Sequence, residues 1–464
     1  MKKIIKFDLN QKLYINLIEK LLFIVIVTIC IRNGNRLFNG DEIESIHTAW
    51  KILNGETIYK DFFQHHHPLS YFLTIPFIKI FGETINAIKA IKSFYLLIFL
   101  GIISFFYLNI LKYFNNKKLA LVSVILLLSS TIFLDKGIQV RPDSISLLFC
   151  LLALYKYDVK NNSNLLQSSF FLSLAFFCSQ KIIFIILVVV FSQAYEFLKN
   201  RQKKEIYQIL KYWLFFLFIL LIFLSYFALT SGLKNYFLFN WSLNNKYVVT
   251  RNFFQNGHLI LLKDFFIQNK LISFFFICNF YNYKQKINQF IIALVFLNIF
   301  FSSAQGQSYL FVLPLICFSA ASFLERLEVP KFLKLVLLVA CLAQFINTSQ
   351  HYLSQSGKYA HRNQIEMFAY TLAHSDRSDY FYDSENNFNL FRKDIDFFWF
   401  STRNDGALHI FKSISNYNYN ISDLFYIYKP KFFYPANISD DDYRNIIMDY
   451  NSIPIIVDDI YERR

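Results

Sequence analysis

Charged residues make up only 17% of this 464-residue chain, and glycine (11), proline (8) and cysteine (6) are all scarce. The shortage of charge, beside 55% hydrophobic residues and a mean hydropathy of +0.34, excludes an ordinary soluble protein and marks a polytopic membrane protein. Scarce glycine and proline accompany an excess of Phe (57) and Tyr (30), a bias typical of an AT-rich genome that carries no mechanism. All six cysteines (Cys30, Cys150, Cys178, Cys278, Cys317, Cys341) fall in apolar segments, so none is placed for a disulfide between loops or for a CxxC metal site. Acidic residues (32) are outnumbered by Lys and Arg (47), for a formal charge of +15. In a soluble chain that excess would suggest phosphate-rich nucleic acid. Here the basic residues fix topology, and no nucleic-acid partner is expected. A small-x-small cleavage site is also missing after basic residues 1–20 and apolar residues 21–31, so this segment reads as a retained first helix.

A spanning helix needs about 20 mostly apolar residues, and about eleven stretches qualify, centred near Ile24, Phe99, Val124, Leu151, Leu172, Val188, Leu217, Phe274, Val295, Leu315 and Leu338. With the N-terminus in the cytoplasm, the short basic turns at Lys112/Lys117/Lys118, Lys156/Lys160, Lys199/Arg201/Lys203/Lys204, Lys284/Lys286 and Arg326/Lys331/Lys334 all face inward. The alternate turns face outward and carry the unusual polar residues: 39–67, 135–143, 179–181, 231–260 and 304–309. An odd number of spans leaves residues 350–464 outside. There, 363–373 reads as helix, Tyr380–Tyr382 and 453–457 as strands, and 422–434 as helix, turn and strand. The expected fold is mainly α: a polytopic membrane domain over 1–349, with a first outer loop over 33–83, then a small C-terminal α/β extracytoplasmic domain over 350–464.

Residues 39–67 are the first long polar interval. Ile43, Ile46, Ala49, Trp50 and Leu53 recur at helical spacing, which predicts an amphipathic helix over 42–53 on the outer surface, ended by Asn54-Gly55. Leu69–Phe81, apolar but short and containing Pro76, reads as a second interfacial helix. Asp41 and Glu42 sit where a carboxylate reaches both water and the lipid interface. Capping explains the same residues structurally, with Asn39 or Asp41 as the cap and Glu42 and Glu44 in the first turn. His65, His66 and His67 make a poor single metal site, because neighbours on one backbone point apart. Hydrogen bonding to a phosphate or sugar suits them better. No cofactor is required, and a divalent metal has no clear ligand set. Arg141, before Pro142-Asp143, offers a planar fork suited to phosphate, and Lys181 a second cation on the same face. Helix-start chemistry and snorkelling are their structural alternatives. Gln307 and Tyr309 add an amide and a phenol to that face.

Asn39-Gly40-Asp41-Glu42, with His47, Asn54-Gly55, Tyr59-Lys60-Asp61-Phe62 and His66-His67-Pro68-Leu69, resembles the first outer loop of the GT-C glycosyltransferases. The likeness is to the bacterial branch related to protein mannosyltransferases and lipid A aminoarabinose transferases. Arg141-Pro142-Asp143, Gln180-Lys181 and the Gln307, Tyr309, Pro314 pattern resemble later landmarks, so the likeness runs over residues 15–345. It implies a GT-C-like arrangement of spans with outer-face interfacial helices, in a bacterial inner (plasma) membrane. It also implies transfer of a hexosyl or pentosyl unit from a polyprenyl-phosphate donor to a lipid, glycan or protein acceptor on the outer face, commonly with inversion. The family's first-loop acid maps to Asp41, with Glu42 adjacent. Tyr59, Asp61, His66, His67, Arg141, Lys181, Gln307 and Tyr309 are the candidates to bind donor phosphate or sugar. The tail, and the loop with Trp241, Lys246 and Arg251, match no pattern of the family.

The residues fit that chemistry on their own terms. Inverting transfer needs a base opposite the leaving group, and the departing phosphate needs positive charge and hydrogen bonds. The competing reading is a transporter or flippase of lipid-linked sugars. Such a protein would carry ionisable groups and broken helices near the midplane, often with inverted repeats. The charges here lie at one face and no internal repeat is visible.

Overall fold

The computed structural model describes residues 2–33, 36–200, 203–230, 232–246, 263, 265–279, 289, 292–295, 297, 306–326, 331–355, 358–383, 385–400, 407–413, 420–434, 444, 446–453 and 460–463. The first helices are α1 (Lys2–Asn33), α2 (Gly40–Leu53), α3 (Leu69–Phe81), α4 (Ile85–Phe114), α5 (Lys117–Leu128) and α6 (Thr131–Ile138). Then come α7 (Pro142–Lys156), α8 (Asn162–Cys178), α9 (Ile182–Asn200), α10 (Lys203–Leu229) and α11 (Leu233–Phe237), which runs into a π-helical turn, Leu238–Leu243. After α12 (Lys270–Asn279) and a 3-10 turn (Gly306–Phe311) follow α13 (Leu313–Arg326), α14 (Lys331–Gln355) and α15 (Lys358–Ala373).

The chain is mainly helical, as expected, and each of the eleven expected span centres lies in helical backbone. Among the described residues two helices are long and apolar enough to cross a membrane, α4 and the Ile206–Leu229 part of α10. Other candidates are shorter. With 15 and 17 residues, α7 and α8 reach about 22 and 26 Å, against an apolar core of about 30 Å. The span expected around Val124 is broken: α5 and α6 meet at 80°. The Ser129 hydroxyl donates to the Leu126 carbonyl at 2.7 Å, and the Ser130 hydroxyl accepts from Phe133 N at 3.4 Å, so two serines end one helix and cap the next. Serines also join the short helices. Ser146 Oγ donates to Ala175 O (2.7 Å), Ser168 Oγ to Ala153 O (2.8 Å) and Ser169 Oγ to Tyr212 O (2.7 Å), which ties α7 to α8 and α8 to α10.

The C-terminal part contains β1 (Tyr380–Tyr382), β2 (Lys393–Asp394), α16 (Ala407–Lys412), α17 (Ile421–Tyr428), β3 (Phe432–Phe433), β4 (Tyr450–Ile453) and β5 (Ile460–Arg463). Its sheet has the order β2-β1-β3-β5-β4, parallel across the first three strands and antiparallel across the last three. Side chains alternate across it. Phe381 and Phe432 join the main core, whereas Tyr382 and Phe433 join a second cluster with Phe425 and Tyr450. The expected helix, strand and helix-turn-strand signals of this region are present; of the strand expected over 453–457, only Ile453 lies within the described residues.

One expectation needs correction. Instead of lying half-exposed on a surface, α2 is buried from Glu42 through Lys51. The C-terminal part covers it: Asp394 accepts from Lys51 Nζ at 2.7 Å and contacts His47 Nε2 at 2.8 Å. Beside it Phe63 N donates to Phe397 O, and Trp399 Nε1 to Phe63 O, both at 2.9 Å. The approach is close enough that a Cβ on Gly40 would stand 3.0 Å from the Glu385 carbonyl oxygen, a contact that this backbone would have to yield to accommodate.

Candidate active site

Asp41 occupies the first turn of α2, where the helix dipole favours a carboxylate. Its side chain is 51% exposed and accepts a hydrogen bond from Arg141 Nη1, while Arg141 is only 4% exposed. The Arg141 guanidinium also reaches Gln139 Oε1 at 3.3 Å, and its Nε is buried with no acceptor among the described residues. This residue is the N-cap of α7 and makes no side-chain cap bond, which leaves its fork facing α2.

Glu42 has a different job from its neighbour. It is fully buried and closes a capping box: the Asn39 side chain accepts from Glu42 N (3.1 Å) while Glu42 Oε2 accepts from Asn39 N (3.2 Å). Arg36 grips both its oxygens at 2.6 and 2.7 Å, and Val140 N donates to Oε1 at 2.9 Å. Burial alone would raise this carboxyl, but the Arg36 charge and these bonds hold it below the ordinary carboxylate range. Glu42 thus carries the capping that sequence reasoning had shared among several acids, and it fixes the backbone beside Arg141. Asp143 is likewise committed, accepting from Ser179 Oγ (2.8 Å) and Lys181 Nζ (2.9 Å). Asp41–Arg141 and Asp143–Lys181 form two adjacent ion pairs.

The three histidines divide. His67 is fully buried; its Nδ1 donates to the Phe176 carbonyl, which leaves Nε2 to accept from the Tyr236 hydroxyl at 3.1 Å. Burial pushes it down to about 4, so it is a neutral structural post and leaves no nitrogen for a donor molecule. His65 and His66 are half-buried, with ring centroids 4.0 Å apart. His65 is also lowered to about 4 by burial, and its Nδ1 has no hydrogen-bond partner among the described residues. Gln64 holds this corner together. Its Nε2 donates to Glu44 Oε1 and Thr48 Oγ1, both at 3.0 Å, and its Oε1 accepts from His65 N (2.7 Å) and His66 N (3.2 Å). Burial and the nearby Asp41 charge raise Glu44 to about 8.

Three candidates stand apart. The Tyr59 hydroxyl donates to the His66 carbonyl at 2.5 Å, and its positive φ of 68° shapes the turn. Asp61 closes that turn by accepting from Thr57 N at 2.7 Å. Both shape the loop. Tyr309, in the 3-10 turn, is buried and stacks on Phe265 with centroids 4.6 Å apart. The side chain of Gln307 and residues Gln305 and Arg251 lie outside the described residues. Sequence reasoning gave Glu44 only a place in the first turn and gave Gln64 no role, whereas Gln64 joins Glu44 to the backbone of His65 and His66 beside Asp41. The only signal for Glu44 was its place one turn beyond Asp41.

Residues 65–227 match the family model "Dolichyl-phosphate-mannose-protein mannosyltransferase". No curated protein matches the chain by sequence. Among solved structures, ArnT from Cupriavidus metallidurans bound to undecaprenyl phosphate is similar, with a TM-score of 0.66, 9% identity and 97% of each chain covered. The apo state of the same protein gives 0.63 at 10% identity, covering 97% of this chain and 98% of that one. The family match starts after Asp41, so the assignment of that residue rests on the first-loop resemblance and the geometry above. The fold along nearly the whole chain is similar to that of ArnT, and residues 65–227 resemble the protein mannosyltransferase family, as the first-loop resemblance leads one to expect.

Proposed function

We propose that this chain is a membrane glycosyltransferase that moves a sugar from a polyprenyl-phosphate donor to a lipid, glycan or protein acceptor on the outer face, with inversion. The observation that carries the reading is the half-exposed Asp41 carboxylate beside a buried Arg141 whose Nε has no acceptor among the described residues. In that pairing Asp41 takes the proton of the acceptor hydroxyl as its oxygen bonds to the anomeric carbon. The bond from that carbon to the phosphate oxygen breaks on the opposite face, and the lipid phosphate leaves with its charge. Arg141 is suited to receive that phosphate in a partly dehydrated site, with Lys181 close by. Glu42 is a positioning residue, and His67, Tyr59 and Asp61 build the loop. The full-length likeness to a protein solved with undecaprenyl phosphate supports the donor class. The broken α5–α6 span is a feature a transporter would share, yet it leads into the turn that carries Gln139 and Arg141.

The test is Asp41→Asn, nearly isosteric but no base. Transfer from a polyprenyl-phosphate sugar in reconstituted membranes is expected to fall by about 10²-fold or more, with the unfolding temperature close to that of the unaltered protein. Undiminished transfer would overturn the role of Asp41.

A further inference from the structure

Nη1 of Arg141 donates to two oxygens, one on the Asp41 carboxylate and the other, at 3.3 Å, Oε1 of Gln139. The opposite end of the same amide, Nε2, donates to Oδ1 of Asp135 at 2.8 Å. Asp135, Gln139, Arg141 and Asp41 thus form one line of hydrogen bonds from α6 to the first turn of α2. We propose that Gln139 is a positioning residue for the lipid phosphate: it fixes the Arg141 guanidinium with a neutral acceptor, while Asp135 sets which end of the amide faces Arg141. This rests on the function proposed above, in which Arg141 receives that phosphate.

The chemistry of the neighbours leaves Gln139 one arrangement. A guanidinium only donates and an ionised carboxylate only accepts. A side chain between them must therefore accept at one end and donate at the other, which a primary amide does without carrying charge. A carboxylate in its place would face Asp135 with like charge and neutralise Arg141, so that it competes with an incoming phosphate. An apolar side chain would leave both neighbours short of a partner, in a spot where water has little access because Gln139 is only 2% exposed. Asp135 itself adds little net charge, since its second oxygen pairs with Lys136 Nζ at 3.0 Å.

The backbone around Gln139 is held as closely as its side chain. After the 80° break from α5, α6 ends at Gln139, whose extended backbone leads on to Arg141. Asp135 stands one helical turn earlier, the spacing at which a carboxylate and an amide on one helix meet. The Ser144 hydroxyl donates to the Lys136 carbonyl at 3.1 Å, with the Gln139 carbonyl at 3.4 Å, and Val140 N donates to Glu42 Oε1 at 2.9 Å. Arg141 is thus held at Nη1 by two acceptors, while its buried Nε has none among the described residues. A guanidinium oriented before its anion arrives loses the least freedom on binding.

The experiment measures binding of polyprenyl phosphate, without sugar, to the full-length protein in reconstituted membranes, with Arg141→Ala as the reference. Gln139→Glu should weaken binding by about 10-fold or more, and the neutral Gln139→Met by several-fold; if Gln139→Glu fails to fold, Gln139→Met decides. Asp135→Ala should also weaken binding, whereas Asp135→Asn, whose Oδ1 still accepts from Gln139 Nε2, should recover most of that loss. Added to Gln139→Met, Asp135→Ala should change nothing further, because it acts only through the amide. An effect of Asp135→Ala that adds in full would overturn the part given to Asp135. If Arg141→Ala weakens binding and the Gln139 variants bind as the unaltered protein does, the role of Gln139 falls alone. If Arg141→Ala itself binds as the unaltered protein does, the reading of Arg141 as the phosphate's partner falls, and the role of Gln139 with it.

Discussion

His67 and Asp41 are 26 positions apart in the region between α1 and α3 and show how burial divides labour among polar side chains. Asp41 keeps half its side-chain surface exposed beside Arg141, while His67 has neither surface nor a spare nitrogen. The buried imidazole has a consequence for pH. Its folded value is about 4 against an ordinary 6.5, so the folded state binds fewer protons than the unfolded chain between those limits. Its contribution to stability is therefore complete above about 6.5 and is lost as pH falls towards 4. His65 adds to the same acid limb. His67→Gln, which keeps a donor and an acceptor but cannot titrate, should flatten the fall of unfolding temperature with acidification, measured in detergent across that range. Superimposable curves for the two proteins would contradict this role.

At the scale of elements, α2 is the part on which the site hangs. Glu42 closes its capping box, pairs with Arg36 and holds Val140 next to Arg141. Glu42→Gln removes the charge from a buried pair, a change that typically costs about 3–5 kcal/mol. The unfolding temperature should drop by several degrees. Arg36→Ala should cost a similar amount, and the double variant less than the sum, because the two share one interaction. Strict additivity would show that they act independently. Much of this element was legible in the sequence: Asn39 as a cap, Asn54-Gly55 as a stop and Leu69–Phe81 as the following helix all have local causes. The break at Ser129-Ser130 was not, because two serines inside an apolar run read as ordinary span residues until their hydroxyls are seen to stop one helix and start another. Nor was the meeting of Glu44 with the His65–His66 corner, which depends on Gln64 drawing a loop against a helix 20 residues away.

Across the whole molecule the decisive contact joins parts far apart in the chain. Asp394 takes Lys51 Nζ at 2.7 Å, contacts His47 Nε2 at 2.8 Å and receives Asn389 Nδ2 at 2.9 Å, all in buried surroundings. No periodicity reports such a partnership, which is why α2 looked from sequence like a helix with one face in water. Asp394→Ala leaves Lys51 buried without that partner and should destabilise the protein by about 3–5 kcal/mol. It should also expose residues 385–400 to limited proteolysis before the membrane helices are touched. Unchanged unfolding and cleavage would show that the C-terminal part only rests on the loop.

The tight seat of Gly40 against the Glu385 carbonyl sets an order of events. Lys51 and its partner Asp394 are 343 residues apart, so α2 leaves the ribosome long before its cover exists. Until then Lys51 and His47 lack the Asp394 partner they have in the folded chain. In a chain assembled this way the surroundings of α2 are completed only after most of its helices have been made.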